Sequence, residues 1–266
     1  MAETQTTMVD AVISTWLESG CPSPLAVNEK DGSVLVYVPA GAFDMGDKKN
    51  KDSPRHRVYL SAYWIGVYCV TNPQYLRFVE ANRKHWQSEK ASYGITRWPG
   101  KHFSIEKSDH PAAHVNWDHA QEYAHWAGCE LPTEAQWEKA ARGPLGLRYP
   151  WGKDWDKTKC RHDKNRSGEE TCPVYDFPGG VSGYGTYNQS GNVWEWCADW
   201  YDRDYYQNSP THNPKGPEEN SGSRVNRGGS WGDDDALFFQ ASRRYGFDTT
   251  YRDRSRRGFR LVKAAS

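Results

Sequence analysis

The sequence lacks the features that mark several classes of protein. It carries 34 basic and 34 acidic residues, and this zero net charge argues against a nucleic-acid or anionic-membrane partner. No segment approaches the roughly 20 apolar residues of a membrane-spanning helix. Residues 1–20 contain neither the basic nor the apolar region of a signal peptide. We therefore expect a cytoplasmic location.

Cysteine patterns of metal and redox sites are also missing. The chain has six cysteines and no CxxC pair, which argues against a zinc site or a redox dithiol. Thiols of a cytoplasmic protein stay reduced as a rule. The sequence leaves open whether Cys160 and Cys172 form a disulfide.

Aromatic residues are what the chain has in abundance. Its mean hydropathy is −0.94, and only 36% of its residues are hydrophobic, yet it contains 13 Trp and 16 Tyr. These rings bury large areas while keeping a polar group available for hydrogen bonds. We therefore expect a core built from aromatic side chains and long loops.

Short periodic segments predict a mixed α+β fold. Apolar residues at helical spacing indicate a helix over 8–17, and alternation indicates two strands within 33–46 and a hairpin over 56–72. Three further helices are indicated by capping residues. The N-caps are Thr71, Asn116 and Thr133, with Pro73 in the first turn of one helix, Gln136 completing a capping box, and Gly128 and Gly143 as terminators.

The rest of the chain is loop-rich. Residues 144–230 show almost no periodicity, and no linker separates two units. We predict an N-terminal helical extension over residues 1–30 and one α+β domain over residues 31–266, with two main helices.

Several motifs in a fixed order then give a family resemblance. They are VPAGAFDMG (38–46), YCVTNPQYLRF (68–78), LPTEAQWEKAARG (131–143), YNQSGNVWEWCADWY (187–201), RVNRGGSW (224–231) and GFRLV (258–262). Together they resemble the formylglycine-generating enzymes, also called sulfatase-modifying factors, over roughly residues 34–262. The resemblance implies a C-type lectin fold of the formylglycine-generating-enzyme type.

The catalytic thiols of that family are absent. Its oxidase members bind copper with two cysteines that follow the GGSW motif, and the matching positions here are Asp233 and Phe238. Cu(I) requires soft thiolate ligands, which a carboxylate and a phenyl ring cannot replace. We therefore expect no copper and no catalytic residues, and we interpret the chain as not being an enzyme.

A histidine site is not indicated either. Iron-dependent sulfoxide synthases of the same family use three histidines, and His110, His114 and His119 cluster here. Pro111 keeps the first two from sharing a helix face. We interpret these histidines as packing or surface residues.

The resemblance also implies a structural calcium site. Asn188 would supply a side-chain oxygen, Gly191 and Val193 would supply carbonyls, and Glu195 would supply a carboxylate. These are the hard oxygen ligands that Ca²⁺ prefers. The alternative is that Glu195 pairs with an arginine and the loop holds without metal.

The same branch of the fold includes the variable proteins of diversity-generating retroelements. Their variable residues lie between a GGSW-like and a GFRLV-like motif, where adenine mutagenesis of AAC and AAT codons cannot produce Lys, Glu, Gln, Met or Trp. Within residues 232–257 only Gln240 is of these types, although they make up about one residue in five of the chain. The pattern favours a variable segment over 232–257 and a bacterial or phage source.

The side chains of 232–257 suit ligand recognition, because aromatic residues and arginine dominate binding hot spots. The predicted ligand-binding residues are Asp233, Asp235, Phe238, Phe239, Tyr245, Phe247, Asp248, Tyr251, Asp253, Arg254 and Arg256. A core position remains open for some of them, Phe239 and Phe247 in particular.

Three functions follow as hypotheses. The first is a non-enzymatic variable protein of a retroelement, which binds a protein or another macromolecule and neither nucleic acid nor membrane. The second is an oxidoreductase or maturation factor of the formylglycine-generating type with a non-standard site. The third is a structural module that docks through the helix at 8–17.

Overall fold

The protein is described by a computed structural model that covers residues 23–82, 105–166, 168, 170–249 and 256–265. Its strands are β1 (Leu25–Val27), β2 (Val34–Val38), β3 (Gly41–Met45), β4 (His56–Leu60), β5 (Tyr63–Gly66), β6 (Trp194–Trp200), β7 (Ser223–Arg227), β8 (Arg244–Asp248), β9 (Arg257–Gly258) and β10 (Val262–Ala264). Its α-helices are α1 (Asn72–Ala81), α2 (Trp117–Trp126), α3 (Glu134–Arg142) and α4 (Tyr205–Asn208). The predicted helix at 8–17 lies outside the described residues.

The strands form three sheets. One has the order β1-β2-β5-β10, a second consists of β3 and β4, and the third has the order β8-β7-β6-β9. All pairs are antiparallel except β6 and β9. Together with the helices they make the predicted mixed α+β fold.

The capping signals located the three longer helices. Thr71 and Gln74 form a capping box at the start of α1, Asn116 caps α2, and Thr133 and Gln136 form a capping box before α3. Each cap accepts or donates hydrogen bonds that the first turn of a helix cannot satisfy internally. These predictions are confirmed.

The predicted hairpin over 56–72 is wrong. Both of its strands exist, but β4 pairs with β3, whereas β5 pairs with β2 and β10. Ser61, between the two strands, donates its backbone N–H to Asn213 Oδ1 at 2.8 Å. The chain therefore passes from one sheet to another at this point, and alternation within a strand does not reveal the partner strand.

The core is aromatic, as the composition predicts. One face of the first sheet packs with Tyr75, Phe78 and Tyr123 of α1 and α2. The other face packs against the β3–β4 pair and α3. No helix among the described residues is long and apolar enough to span a bilayer.

Helix α3 is tied to the third sheet by buried ion pairs. Arg244 of β8 makes two hydrogen bonds of 2.8 Å to the carboxylate of Glu134, and Arg227 of β7 pairs with Glu138. All four side chains are buried. A broken buried ion pair leaves an uncompensated charge, so such pairs resist rearrangement. These contacts therefore fix the position of the third sheet and of the segment that joins β7 to β8.

Candidate functional site

The segment after β7 folds back over the third sheet. It makes a turn at 228–232, a short 3₁₀ helix at Ala236–Phe239 and strand β8. The turn requires a glycine at 229, where φ is +74° and a Cβ atom would lie 2.8 Å from the ring of Phe239. This close packing positions the 3₁₀ helix beside the sheet.

A cleft with a volume of about 390 Å³ opens between the 3₁₀ helix, β8 and β9. We call it the aromatic cleft. It is lined by Trp194, Asp233, Phe238, Tyr245, Gly246, Phe247, Asp248, Arg256 and Arg257. Its size lies within the range typical of ligand pockets, roughly 300–1,000 Å³.

Four rings form the apolar part of the aromatic cleft. Trp194 is central, with ring-centroid distances of 6.2 Å to Phe238, 5.2 Å to Tyr245 and 6.0 Å to Phe247. Tyr245 and Phe247 share one face of β8 because side chains two residues apart in a strand point the same way. Trp194 is buried, whereas the other three rings are partly exposed. Trp194 therefore lies at the base of the cleft, and the other three rings are accessible to a ligand.

The charged groups of the aromatic cleft are balanced. Asp233 Oδ2 accepts hydrogen bonds from Trp194 Nε1 at 3.0 Å, from the Ser230 N–H at 2.8 Å and from Ser230 Oγ at 2.7 Å. Arg257 stacks its guanidinium 3.8 Å from the ring centre of Phe247. Two carboxylates, of Asp233 and Asp248, and two guanidiniums, of Arg256 and Arg257, line the cleft. The charges therefore suit orientation of a mixed polar ligand more than capture of a strongly charged one.

Six of the predicted binding residues meet in this cleft: Asp233, Phe238, Tyr245, Phe247, Asp248 and Arg256. Asp235 is not part of the lining, and its Oδ1 accepts the Leu237 N–H at the start of the 3₁₀ helix. Tyr251, Asp253 and Arg254 lie outside the described residues.

The prediction that Phe239 binds a ligand is wrong. It is fully buried and stacks on Trp155 at a centroid distance of 4.9 Å. The 3₁₀ helix turns consecutive side chains in different directions, so Phe238 points into the cleft while Phe239 points into the core. A ligand cannot reach it.

Three lining residues are absent from the predicted set: Trp194, Gly246 and Arg257. Gly246 lies on β8 between two predicted residues. Trp194 and Arg257 lie outside and at the edge of the predicted segment, and they meet because β6 and β9 pair in parallel with Trp194 opposite Arg257. Alternation along WEWCADW was the available signal, because it places Trp194 on the face opposite the buried Glu195.

The positions of the family's thiols converge on Trp194. Asp233 hydrogen-bonds its indole and Phe238 packs edge-on against its ring. No cysteine of the described residues lines the aromatic cleft, and a carboxylate with a phenyl ring does not fit Cu(I). The expectation of no copper stays a prediction.

The described cysteines are free, which answers the question left open for Cys160 and Cys172: they are not joined in this structure. Burial raises the pKa of each of the five described thiols, for Cys129 to about 11 and for Cys172 to about 12. A thiol with a raised pKa is a poor nucleophile. Across the described part of the chain, His, Cys, Asp and Glu form no group of three that could hold a metal.

Glu195, the carboxylate among the predicted calcium ligands, is already engaged by other side chains. Both carboxylate oxygens of Glu195 are bound by Arg260, at 2.6 and 2.7 Å, and Trp137 Nε1 donates to Oε2 at 2.9 Å. Asn188 Oδ1 accepts from Asn192 Nδ2 at 3.3 Å. A guanidinium therefore neutralises the carboxylate that calcium would need. Gly191 and Val193 lie on the same loop, and calcium binding by this set stays a prediction.

Known proteins resemble the chain in sequence and in fold. A family model described as "Sulfatase-modifying factor enzyme 1-like domain" matches residues 21–265. The formylglycine-generating enzyme of Thermomonospora curvata is 34% identical over 251 residues, with 74% of this chain and 82% of that protein covered. The structure of PvdO from Pseudomonas aeruginosa is 25% identical with a TM-score of 0.76 and covers 92% of this chain and 99% of its own.

A variable protein shares the fold. Treponema denticola variable protein 1 has a TM-score of 0.70, covers 91% of this chain and 98% of its own, and is 22% identical. At that identity the likeness shows the fold alone.

These findings correct one expectation and settle another. The interpretation that the chain is not an enzyme is wrong, because a relative at 34% identity over most of both chains is named as an enzyme. Absence of one thiol pair does not remove an enzyme family from consideration. The family model and this relative establish that the chain belongs to the sulfatase-modifying factor family, the family of the formylglycine-generating enzymes.

Proposed function

We propose that this protein recognises a macromolecular ligand, in the first place a segment of another protein, in the aromatic cleft. Three partly exposed rings surround Trp194, and two arginines and two aspartates line the same space. Aromatic side chains supply large contact area at low entropic cost, and arginine is the charged residue most enriched at binding hot spots.

One observation carries the proposal. The two positions that hold copper thiols in the family's oxidases, Asp233 and Phe238, both contact Trp194 in the aromatic cleft. Both side chains can therefore contact a ligand that enters the cleft. The cytoplasmic location and docking through 8–17 stay predictions.

We also propose that a retroelement diversifies the residues of this cleft. Eight of the nine lining residues come from the segment 232–257, in which only Gln240 lies outside the set that adenine mutagenesis can produce. The test is a search of the flanking DNA. We expect a near-identical template copy of the codons for 232–257 and a reverse-transcriptase gene beside it. Absence of both from the complete locus would contradict the proposal of diversification. The proposal of ligand recognition in the cleft would then need a separate binding test.

A second candidate is an oxidoreductase or maturation factor of the family with a non-standard site. The 34% identity to a formylglycine-generating enzyme favours it. Its test is metal analysis of the purified protein together with oxygen uptake in the presence of cysteine-containing peptides. Turnover that is lost in the Asp233→Asn variant would favour this candidate, with Asp234→Asn, an exposed neighbour, as control.

A further inference from the structure

Strand β3 has an edge with no strand partner among the described residues. On the other side of the pair, Tyr59 of β4 donates its N–H to Thr211 O at 2.7 Å and accepts the Asn213 N–H at 2.9 Å. Tyr59 lies opposite Ala42, so this pair is not hydrogen-bonded across the ladder. Hydrogen-bonded and non-hydrogen-bonded pairs alternate in antiparallel sheets. Ala42 and Asp44 therefore direct their peptide groups to the outer edge of β3.

This edge opens into a groove with a volume of about 540 Å³. We call it the basic groove. Its lining contains seven cationic side chains: Lys48, Lys49, Arg55, Arg57, Lys139, Arg142 and Arg148. Among the described residues, only two acidic side chains, Asp44 and Asp47, line it. In a chain without net charge, this is a local concentration of positive charge.

Part of that charge is not neutralised within the fold. Asp44 pairs with Arg55 and Arg57, and Glu138 pairs with Arg142. Lys48, Lys49 and Arg148, by contrast, are exposed and form no ion pair with any described residue.

Lys139 adds a cation at the base of the groove. Its Nζ is held by two backbone carbonyls, Pro39 O at 2.6 Å and Gly41 O at 3.1 Å, and no carboxylate contacts it in the described structure. The groove therefore retains positive charge both at its rim and at its base.

We propose that an extended acidic segment of a partner protein docks in the basic groove by pairing with the outer edge of β3. Main-chain hydrogen bonds to Ala42 and Asp44 would supply the register, and acidic side chains would face Lys48, Lys49 and Arg148. Addition of a strand to an exposed sheet edge is a recurrent mode of peptide recognition. The basic groove shares no lining residue with the aromatic cleft, so this interaction is separate from the proposed function.

A peptide fits this groove better than a nucleic acid. The unpaired strand edge offers alternating N–H and C=O groups, which a second strand satisfies and a phosphate backbone does not. Leu145, which is 81% exposed at the rim, offers an apolar contact. Alternating acidic and apolar side chains would match the charges and this leucine together.

The test uses a fluorescein-labelled peptide of alternating glutamate and valine, and its binding to the whole protein is measured by fluorescence anisotropy. We expect saturable binding that weakens with salt. The triple variant Lys48→Glu, Lys49→Glu, Arg148→Glu should weaken it by at least about tenfold, because complementary charge is replaced by repulsion. The matched control Lys153→Glu, Lys157→Glu, Lys215→Glu makes the same charge change at exposed sites outside the groove and should bind within about twofold of the parent.

Ala42→Pro tests strand pairing itself. Proline is tolerated in an edge strand where the N–H points away from the sheet, so the melting temperature should stay close to that of the parent. Loss of one edge hydrogen bond and obstruction of the edge should weaken the peptide by about tenfold. The charge variants decide the matter if this variant does not fold.

Three results would overturn the proposal. The first is no binding of the acidic peptide. The second is an equal loss of binding in the matched control. The third is displacement of the peptide by a single-stranded oligonucleotide at lower concentration than by unlabelled peptide, which would point to a general polyanion surface.

Discussion

Phe238 and Phe239 are neighbours in sequence with opposite surroundings. Phe238 lines the aromatic cleft, whereas Phe239 is fully buried against Trp155. Composition marked both as binding residues, because both are aromatic and lie in one segment. Their side chains point in different directions because both residues lie in the 3₁₀ helix. The sequence contains no periodic pattern that predicts this helix.

Replacement of these two phenylalanines should separate scaffold from surface. Phe239→Ala should lower the free energy of unfolding by about 3–5 kcal/mol, because it opens a cavity in a packed core. Phe238→Ala, the matched control, should cost less than about 2 kcal/mol. Urea unfolding monitored by circular dichroism measures both. Equal losses would contradict the assignment of their environments.

Glu195, a predicted calcium ligand, is bound by Arg260 in the structure. Both side chains are fully buried and form a two-point ion pair. The sequence left the choice between a metal and an arginine open at Glu195. The arginine that contacts it lies 65 positions away, a separation that no local pattern bridges.

Neutralising Glu195 should therefore destabilise the fold. Glu195→Gln leaves the buried Arg260 guanidinium without its counter-charge, at a cost of about 3–5 kcal/mol in unfolding free energy. Glu219→Gln, at an exposed position, should have no comparable effect. If instead a chelator lowered the unfolding midpoint of the parent and not of Glu195→Gln, a metal rather than the arginine would be the partner of Glu195.

At the scale of elements, helices were easier to predict than sheets. The caps at Thr71, Asn116 and Thr133 located three helices because capping is a local interaction within a few residues. Strand partners depend on contacts between distant segments. This is why β4 and β5 were predicted correctly as strands and wrongly as a pair.

A buried carboxylate with a raised pKa lies beside the start of α3. Asp199 of β6 is buried and accepts the Glu134 N–H at 2.7 Å. Burial, together with the nearby Glu134 carboxylate, raises the pKa of Asp199 from 3.8 to about 7. The folded state therefore holds this proton at pH values where the unfolded chain has released it. Its contribution to stability is complete below pH 4 and is lost as the pH rises through 7.

Asp199→Asn should remove this pH dependence. Between pH 4 and 7, the unfolding free energy of the parent should fall relative to the variant by up to about 1.4 kcal/mol per pH unit. Urea unfolding of both proteins at intervals from pH 4 to pH 8 measures the difference. Parallel profiles would show that Asp199 does not titrate in this range.

At the scale of the whole molecule, the motifs carried most of the prediction of fold. Their order matched a family, and the family model spans residues 21–265. The residues of the candidate site could be predicted from the sequence only in part. Eight of the nine lining residues lie in the predicted segment, but Trp194, at the centre of the cleft, comes from a strand about 40 residues earlier. Its role depends on how β6 lies between β7 and β9.

The aromatic cleft and the rigid frame beneath it divide the segment into two kinds of position. Asp233, Phe238, Tyr245 and Phe247 face the cleft, whereas Phe239, Ala241 and Arg244 are buried in the scaffold. A diversified recognition surface must change the first kind and keep the second, because scaffold changes cost stability whereas cleft changes alter only the ligand.

Diversification of the aromatic cleft is tested most directly by sequencing codons 232–257 in many independent isolates of the source. We expect adenine-directed substitutions at the cleft positions, with Phe239, Ala241 and Arg244 unchanged and little variation elsewhere in the chain. Invariant cleft codons, or substitutions spread evenly over cleft and scaffold positions, would contradict the claim that the aromatic cleft is a diversified recognition surface.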